Sequence, residues 1–121
     1  GFKHGAALDA DIVIDVRFLP NPSYDPALKS LTGLDAPVRD FVMYREETVE
    51  FVKRWRALLD CVMPGYVAEG KQQLAIAIGC TGGQHRSVAI AESTGDYLKS
   101  NGYRVSVAHR DLKLAPRAAQ E

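Results

Sequence analysis

Apolar residues fall along the chain in blocks whose period changes from one block to the next. Ile12-Val13-Ile14-Asp15-Val16 is a β-branched run bounded by polar residues, which predicts a strand over about 11–16. Pro20, Pro22 and Pro26 cannot continue it and force an ordered but irregular loop. Asp35 stands as N-cap of a short helix over about 36–44, with Pro37 in its first turn. Over 45–63, Val49, Val52, Trp55, Leu58, Leu59 and Val62 recur at helical spacing, and Glu46 and Glu47 fill the first turn where the helix dipole favours acids. Pro64 and Gly65 should end that helix, and the polar stretch 66–73 reads as loop. A second strand follows at 74–78, then a second long helix over about 86–100 with Val88, Ala91, Thr94, Gly95 and Leu98 on one face. Asn101-Gly102 reads as its C-cap, Tyr103–Ala108 as a third strand, and Lys113 to Glu121 as a frayed tail.

Strands separated by helical crossovers run parallel. The expected fold is therefore α/β, a layered domain with a mainly parallel sheet of about three core strands and crossover helices. In such a sheet all three strands end at one edge, where ligands of open parallel sheets bind. Asp15-Val16-Arg17, the loop beginning at Gly79, and His109-Arg110-Asp111 would meet there.

The loop Gly79-Cys80-Thr81-Gly82-Gly83-Gln84-His85-Arg86-Ser87 has the most specific chemistry. A strand, a glycine-rich turn and a helix start present unpaired backbone N–H groups to an anion. Thr81, Gly82, Gly83, His85, Arg86 and Ser87 are the candidate phosphate-binding residues: glycines for close backbone approach, two cationic donors and hydroxyls for the oxygens. The glycines could equally make only a tight turn, and the basic pair tips the balance. No Gly-Lys-Ser/Thr follows them, so this is not a nucleotide-binding Walker loop. Asp15, Arg17, His109 and Arg110 are candidates for the rest of the pocket, with His4 and Cys80 as outer members. Arg17 could face a ligand or pair with Asp15, and His109-Arg110 could be a solvated corner. Phe51 and Trp55 fit core packing, or an oligomer interface, better than base stacking.

Cys80, five residues, Arg86 and Ser87 also match the spacing of cysteine-dependent phosphatases. A thiolate would attack phosphorus there, with Asp111 or Asp15 as the acid. Gly79 stands where tyrosine phosphatases carry histidine before the cysteine, and no clear general-acid loop is visible.

With 121 residues, 46% hydrophobic and 25% charged, the chain is sized for one ordinary globular domain. Fifteen basic and fifteen acidic side chains cancel, which removes a whole-domain basic signature for nucleic acid. No run reaches membrane-spanning length and no signal-peptide pattern is present. Cys61, on a helix among apolar residues, reads as a core thiol, while Cys80 lies in the loop; two such unlike contexts suit a reducing cytoplasm. No spacing resembles a zinc site, and no cofactor is expected. The opening at Gly1 suggests a piece of a longer protein.

GFKHG (1–5), DVRFLPNP (15–22), LTGLD (31–35), AIGCTGGQHRSV (77–88) and HRD (109–111) together resemble the C-terminal domain of the RapZ/YvcJ family of bacterial nucleotide-binding proteins, which includes RNase adapters. The resemblance runs from Gly1 to about Leu112, with 113–121 as a tail. It implies an N-terminal P-loop domain outside this chain, to which nucleotide binding or hydrolysis would belong. For this domain it implies a regulatory, non-catalytic pocket sensing a phosphorylated amino sugar such as glucosamine-6-phosphate. In the intact protein, the partners implied by the resemblance are small regulatory RNA and an endoribonuclease, in a homo-oligomer. Gln84 replaces a lysine of RNase adapters, and the 112–117 tail is less basic than theirs, which weakens the implication for RNA.

Overall fold

The computed structural model describes residues 9–112. Within them run β1 (Ile12–Asp15), a single 3-10 turn (Pro22–Tyr24), α1 (Ala36–Met43), α2 (Glu46–Ala68), β2 (Ile76–Gly79) and α3 (Arg86–Ser100). β1 and β2 pair in parallel, with Ile12 opposite Ile76 and Asp15 opposite Gly79. The α/β class and the parallel pairing are as expected.

Two packed clusters hold the layers together. Val16, Leu19, Val38, Val42, Cys80, Ala89 and Ile90 join the strand ends to α1 and the start of α3. Trp55, Leu59, Met63 and Leu98 join α2 to the end of α3, against Ile12, Ile14, Ile76 and Ile78. Each large aliphatic side chain taken fully from water contributes about 1.5–3 kcal/mol, so these stripes outweigh any single surface contact. Trp55 satisfies its indole N–H inside the core by donating to Thr94 Oγ1 at 3.0 Å. The Trp55 and Phe51 rings stack, their centroids 6.1 Å apart. Core packing is therefore their role here.

Four expectations are corrected. The third strand is absent among the described residues: Tyr103–Ala108 joins no ladder. It lies on α3 instead, where a Cβ at Gly95 would stand 2.6 Å from Val107 Cγ2. Pro64 does not end α2, which runs on to Ala68. Pro64 is exposed. The carbonyl of Asp60, which its missing N–H would have served, can turn to water at such a surface. The true stop is Gly70 at φ +89, with Lys71 N–H donating back to Tyr66 O at 3.1 Å. Cys61 is exposed, not a core thiol. Asp35 occupies the N-cap of α1 but makes no side-chain bond to that helix; its carboxylate accepts the N–H of Thr32 at 2.8 Å, closing the turn before the helix. The C-cap of α3 is as expected, with Gly102 at φ +91 and Tyr103 N–H reaching Leu98 O at 3.1 Å.

Gly33 packs hard against the first turn of α3. A Cβ there would stand 2.5 Å from His85 O and 2.7 Å from Ala89 N, both backbone atoms of a packed helix. Neither can yield cheaply, so Gly33→Ala should destabilise the domain by about 3 kcal/mol, measured by urea unfolding; a change below about 0.5 kcal/mol would contradict this packing.

Candidate functional site

The loop from Gly79 to His85 links β2 to α3 at the carboxyl edge of the sheet. Val16 N–H donates to Gly79 O at 2.8 Å, which fixes where the loop departs. Gly83 takes φ +76, a conformation that other residues reach only with strain. Three segments far apart in sequence then attach to this loop.

The first attachment is Arg86. Its side chain is buried, 5% exposed, and Nη1 donates to Arg17 O at 2.6 Å and to Leu19 O at 3.1 Å. Its Nε–H, also buried, has no acceptor among the described residues. The second attachment is to the loop before α1. Gly33 N–H donates to Gln84 O at 2.8 Å, and His85 Nε2 lies 3.3 Å from Lys29 O. A carbonyl only accepts, so this contact is a hydrogen bond when His85 carries a hydrogen on Nε2. The third is Gln84, whose side-chain amide donates to Asp111 O at 2.6 Å. His109 Nε2 pairs with Glu92 of α3 at 2.7 Å, which anchors the 109–111 segment a further turn along.

The sequence-predicted residues thus gather around one loop, on two sides of it. A cavity of about 220 Å³ holds Gly79, Gly83 and Ser87 together with His109, Arg110 and Asp111. Asp15, Arg17 and Arg86 belong to the β1 side. There the Arg17 guanidinium grips Asp15 through Nε at 2.9 Å and Nη2 at 2.6 Å, an exposed pair. That grip holds the Asp15 carboxyl below its usual range, as Arg110 does for Asp111, down to about 2. Thr81 is exposed at the tip of the loop, Gly82 beside it is half-buried, and His4 lies outside the described residues. Sequence reasoning missed Lys29, Gly33 and Glu92. Gly33 alone carried a signal, as the central glycine of LTGLD.

Cys80 faces inward, 3% exposed. Its thiol donates to Ser87 Oγ at 3.2 Å, and Ser87 N–H points at the sulfur from 3.4 Å. Burial pushes its pKa up, but the Ser87 hydroxyl and the backbone N–H groups of Ser87, Gly83 and His85 bring it below the ordinary thiol value. The same amides that suit an anion therefore already converge on sulfur. Two features oppose nucleophilic catalysis: the sulfur is covered, and the Arg86 Nη1 that a phosphatase would use on phosphate oxygens is occupied by two carbonyls. No group of three or more His, Cys, Asp or Glu among the described residues could hold a metal ion.

α3 begins without a side-chain cap and without an acidic residue in its first turn. Its positive end is left uncompensated by protein carboxylates on that turn. In kind, this is a parallel α/β domain with a glycine-rich loop and a buried arginine at the carboxyl edge of its sheet. The chain belongs to the family of the RapZ C-terminal domain, whose model matches residues 1–113. It is 57% identical over 113 residues to a nucleotide-binding protein of Lactiplantibacillus plantarum, covering 93% of this chain and 38% of that protein. It is 55% identical over 122 residues to one of Symbiobacterium thermophilum, covering 100% of this chain and 40% of that protein. The chain thus spans about two fifths of the length of these relatives. No described helix is long and apolar enough to cross a membrane.

Two outcomes follow. Arg86→Ala strands two carbonyls, one buried and one part-buried, and should cost about 3 kcal/mol in urea unfolding, whereas a loss under about 1 kcal/mol would show that the clamp contributes little. Under native conditions iodoacetamide should label exposed Cys61 first and leave Cys80 protected, as read by peptide mass mapping. Faster labelling at Cys80 would restore the nucleophile reading.

Proposed function

We propose that this domain binds a phosphorylated sugar, of the glucosamine-6-phosphate kind, and works as a ligand-sensing module. One observation carries the reading: the uncapped start of α3 holds a buried arginine with an unsatisfied Nε–H. A phosphate offers both negative charge and the missing acceptor. Thr81, Gly82, Gly83, His85 and Ser87 hold the phosphate together with Arg86, which reaches it through Nε because its Nη1 is committed to Arg17 O and Leu19 O. Asp15, Arg17, His109 and Arg110 read the sugar from the two sides of the loop, with Cys80 closing its floor.

The name shared by the relatives, nucleotide-binding protein, refers to proteins more than twice this length. The loop here lacks the Gly-Lys-Ser/Thr of a Walker site. Nucleotide binding is accordingly assigned to the part of the full-length protein beyond this domain. Ligand in the sugar-phosphate pocket would bias which partner that protein engages, through unequal affinity for two states. RNA binding draws no support from the overall charge, since fifteen basic and fifteen acidic residues balance.

Glucosamine-6-phosphate at about ten times its Kd should stabilise the domain by about 1.4 kcal/mol, or roughly 5 °C in Tm. Gly82→Asp is the informative variant. A Cβ at Gly82 meets nothing nearer than Gln84 Cγ at 4.0 Å, so the fold tolerates it while the added carboxylate repels phosphate. The shift should vanish in Gly82→Asp with the unliganded Tm unchanged. No shift with any sugar phosphate at millimolar concentration would reject the reading.

A further inference from the structure

His109 is held from two sides. Its Nε2 lies 2.7 Å from a carboxylate oxygen of Glu92 on α3. Two residues on, Asp111 O accepts from the side-chain amide of Gln84 in the glycine loop at 2.6 Å. The imidazole is mostly covered, 13% exposed, and it lines the cavity of about 220 Å³ together with Gly83 and Ser87. Glu92 is not part of that lining, although its neighbour Ala91 is. Any influence of Glu92 on the cavity therefore passes through the imidazole.

The two nitrogens of an imidazole are not independent. An ionised carboxylate only accepts, so the 2.7 Å contact is attractive only with a hydrogen on Nε2. In the neutral ring that leaves a lone pair on Nδ1. Nδ1 has no partner among the described residues and is not sealed from solvent. The charged groups beside it are engaged with each other, Arg110 Nη2 standing 3.1 Å from Asp111. The start of α3 offers donors and so suits the acceptor oxygens of a phosphate. Nδ1 is the opposite kind of group, and it stands in the same cavity.

We infer that Glu92 is a positioning residue for ligand selection. By holding Nε2–H it presents His109 Nδ1 to the cavity as an acceptor, which takes a hydroxyl or ammonium hydrogen of the ligand while the loop takes its phosphate. This rests on the sugar-phosphate reading and narrows it: the ligand carries a hydrogen-bond donor as well as a phosphate. Phosphate oxygens turned toward Nδ1 would set lone pair against lone pair, so the pair also fixes which way round the ligand enters.

Two measurements test this. Long-range proton–nitrogen NMR of the unliganded protein at about pH 8, above the ordinary histidine range, reads the tautomer directly. His109 should carry its hydrogen on Nε2, and Glu92→Ala should give a mixture of both tautomers. A hydrogen on Nδ1 in the native protein overturns the inference. Calorimetric titration with glucosamine-6-phosphate and with inorganic phosphate then separates selection from packing. Glu92→Ala should weaken the sugar phosphate about tenfold and inorganic phosphate less than about twofold. Glu92→Gln, whose amide oxygen still accepts from Nε2–H, should keep the sugar phosphate within about threefold of the native affinity. Equal losses for both ligands in Glu92→Ala would make Glu92 a brace for the fold and overturn its selective role, as would no loss for either. Should neither ligand bind the native protein, the sugar-phosphate reading falls and takes this inference with it. Native binding of both that is indifferent to Glu92 sinks this inference alone.

Discussion

The constraint on which the rest of this structure depends is the burial of one guanidinium, that of Arg86. It has two carbonyl acceptors, on Arg17 and Leu19, and no carboxylate within ion-pair distance among the described residues. Burying a charge without a counter-charge is costly, and neutral carbonyls offset only part of that cost. What remains is a positive potential at the point where β1, β2 and α3 meet. The first turn of α3, with no acid and no cap, adds to it. A domain optimised only for stability would place a carboxylate here. Asp15 is near enough to feel the charge, since Arg86 is among the groups that lower its pKa, yet its carboxylate is held by Arg17. The uncompensated field is a local departure from good packing rules, and it is what the proposed phosphate site draws on.

Glycine placement makes this burial geometrically feasible. Gly83 supplies the positive φ that turns the loop, and Gly33 lets a second loop press backbone to backbone against the start of α3. With Gly33 N–H bonded to Gln84 O, the glycine loop is braced from behind. The brace fixes the direction of α3 as it leaves the loop, and so where Arg86 can reach. Cysteine at position 80 fits the same scheme as a small buried group whose sulfur accepts the Ser87 N–H. A thiolate nucleophile would need the opposite arrangement, with an open sulfur and a free guanidinium above it.

Local signals were legible in the sequence where they were strong and self-contained. The β-branched run of β1 and the Asn101-Gly102 stop of α3 stand in the structure as expected, and the helix of α2 does too, although Val49 and Leu58 of its apolar stripe are exposed. Cys61 was misjudged because its neighbours in sequence are apolar while its own direction on α2 is outward. Pro64 was misjudged because a helix at the surface can surrender one hydrogen bond to water and continue. The third strand was misread for a different reason. Its alternation is real, with Tyr103, Val105 and Val107 inward, but a strand exists only where another backbone lies alongside. Periodicity reports which side chains are buried, not what pairs with the main chain. The loop motif at 79–87 marked the right place, yet the reach of Arg86 to the carbonyls of Arg17 and Leu19 spans 69 and 67 positions and leaves no local trace.

Register ties the sheet to the site. Asp15 stands opposite Gly79, and the Val16 N–H to Gly79 O bond sets the residue at which the loop begins. A slip of one residue would reverse which β2 side chains face the helices, taking Ile76 and Ile78 out of the core. It would also displace Arg86 by one residue relative to Arg17 and Leu19, breaking both of its hydrogen bonds. The core stripe and the buried arginine therefore select the same pairing for independent reasons, one hydrophobic and one electrostatic. Agreement between two unrelated terms allows the two short strands among the described residues to hold the glycine loop in one geometry.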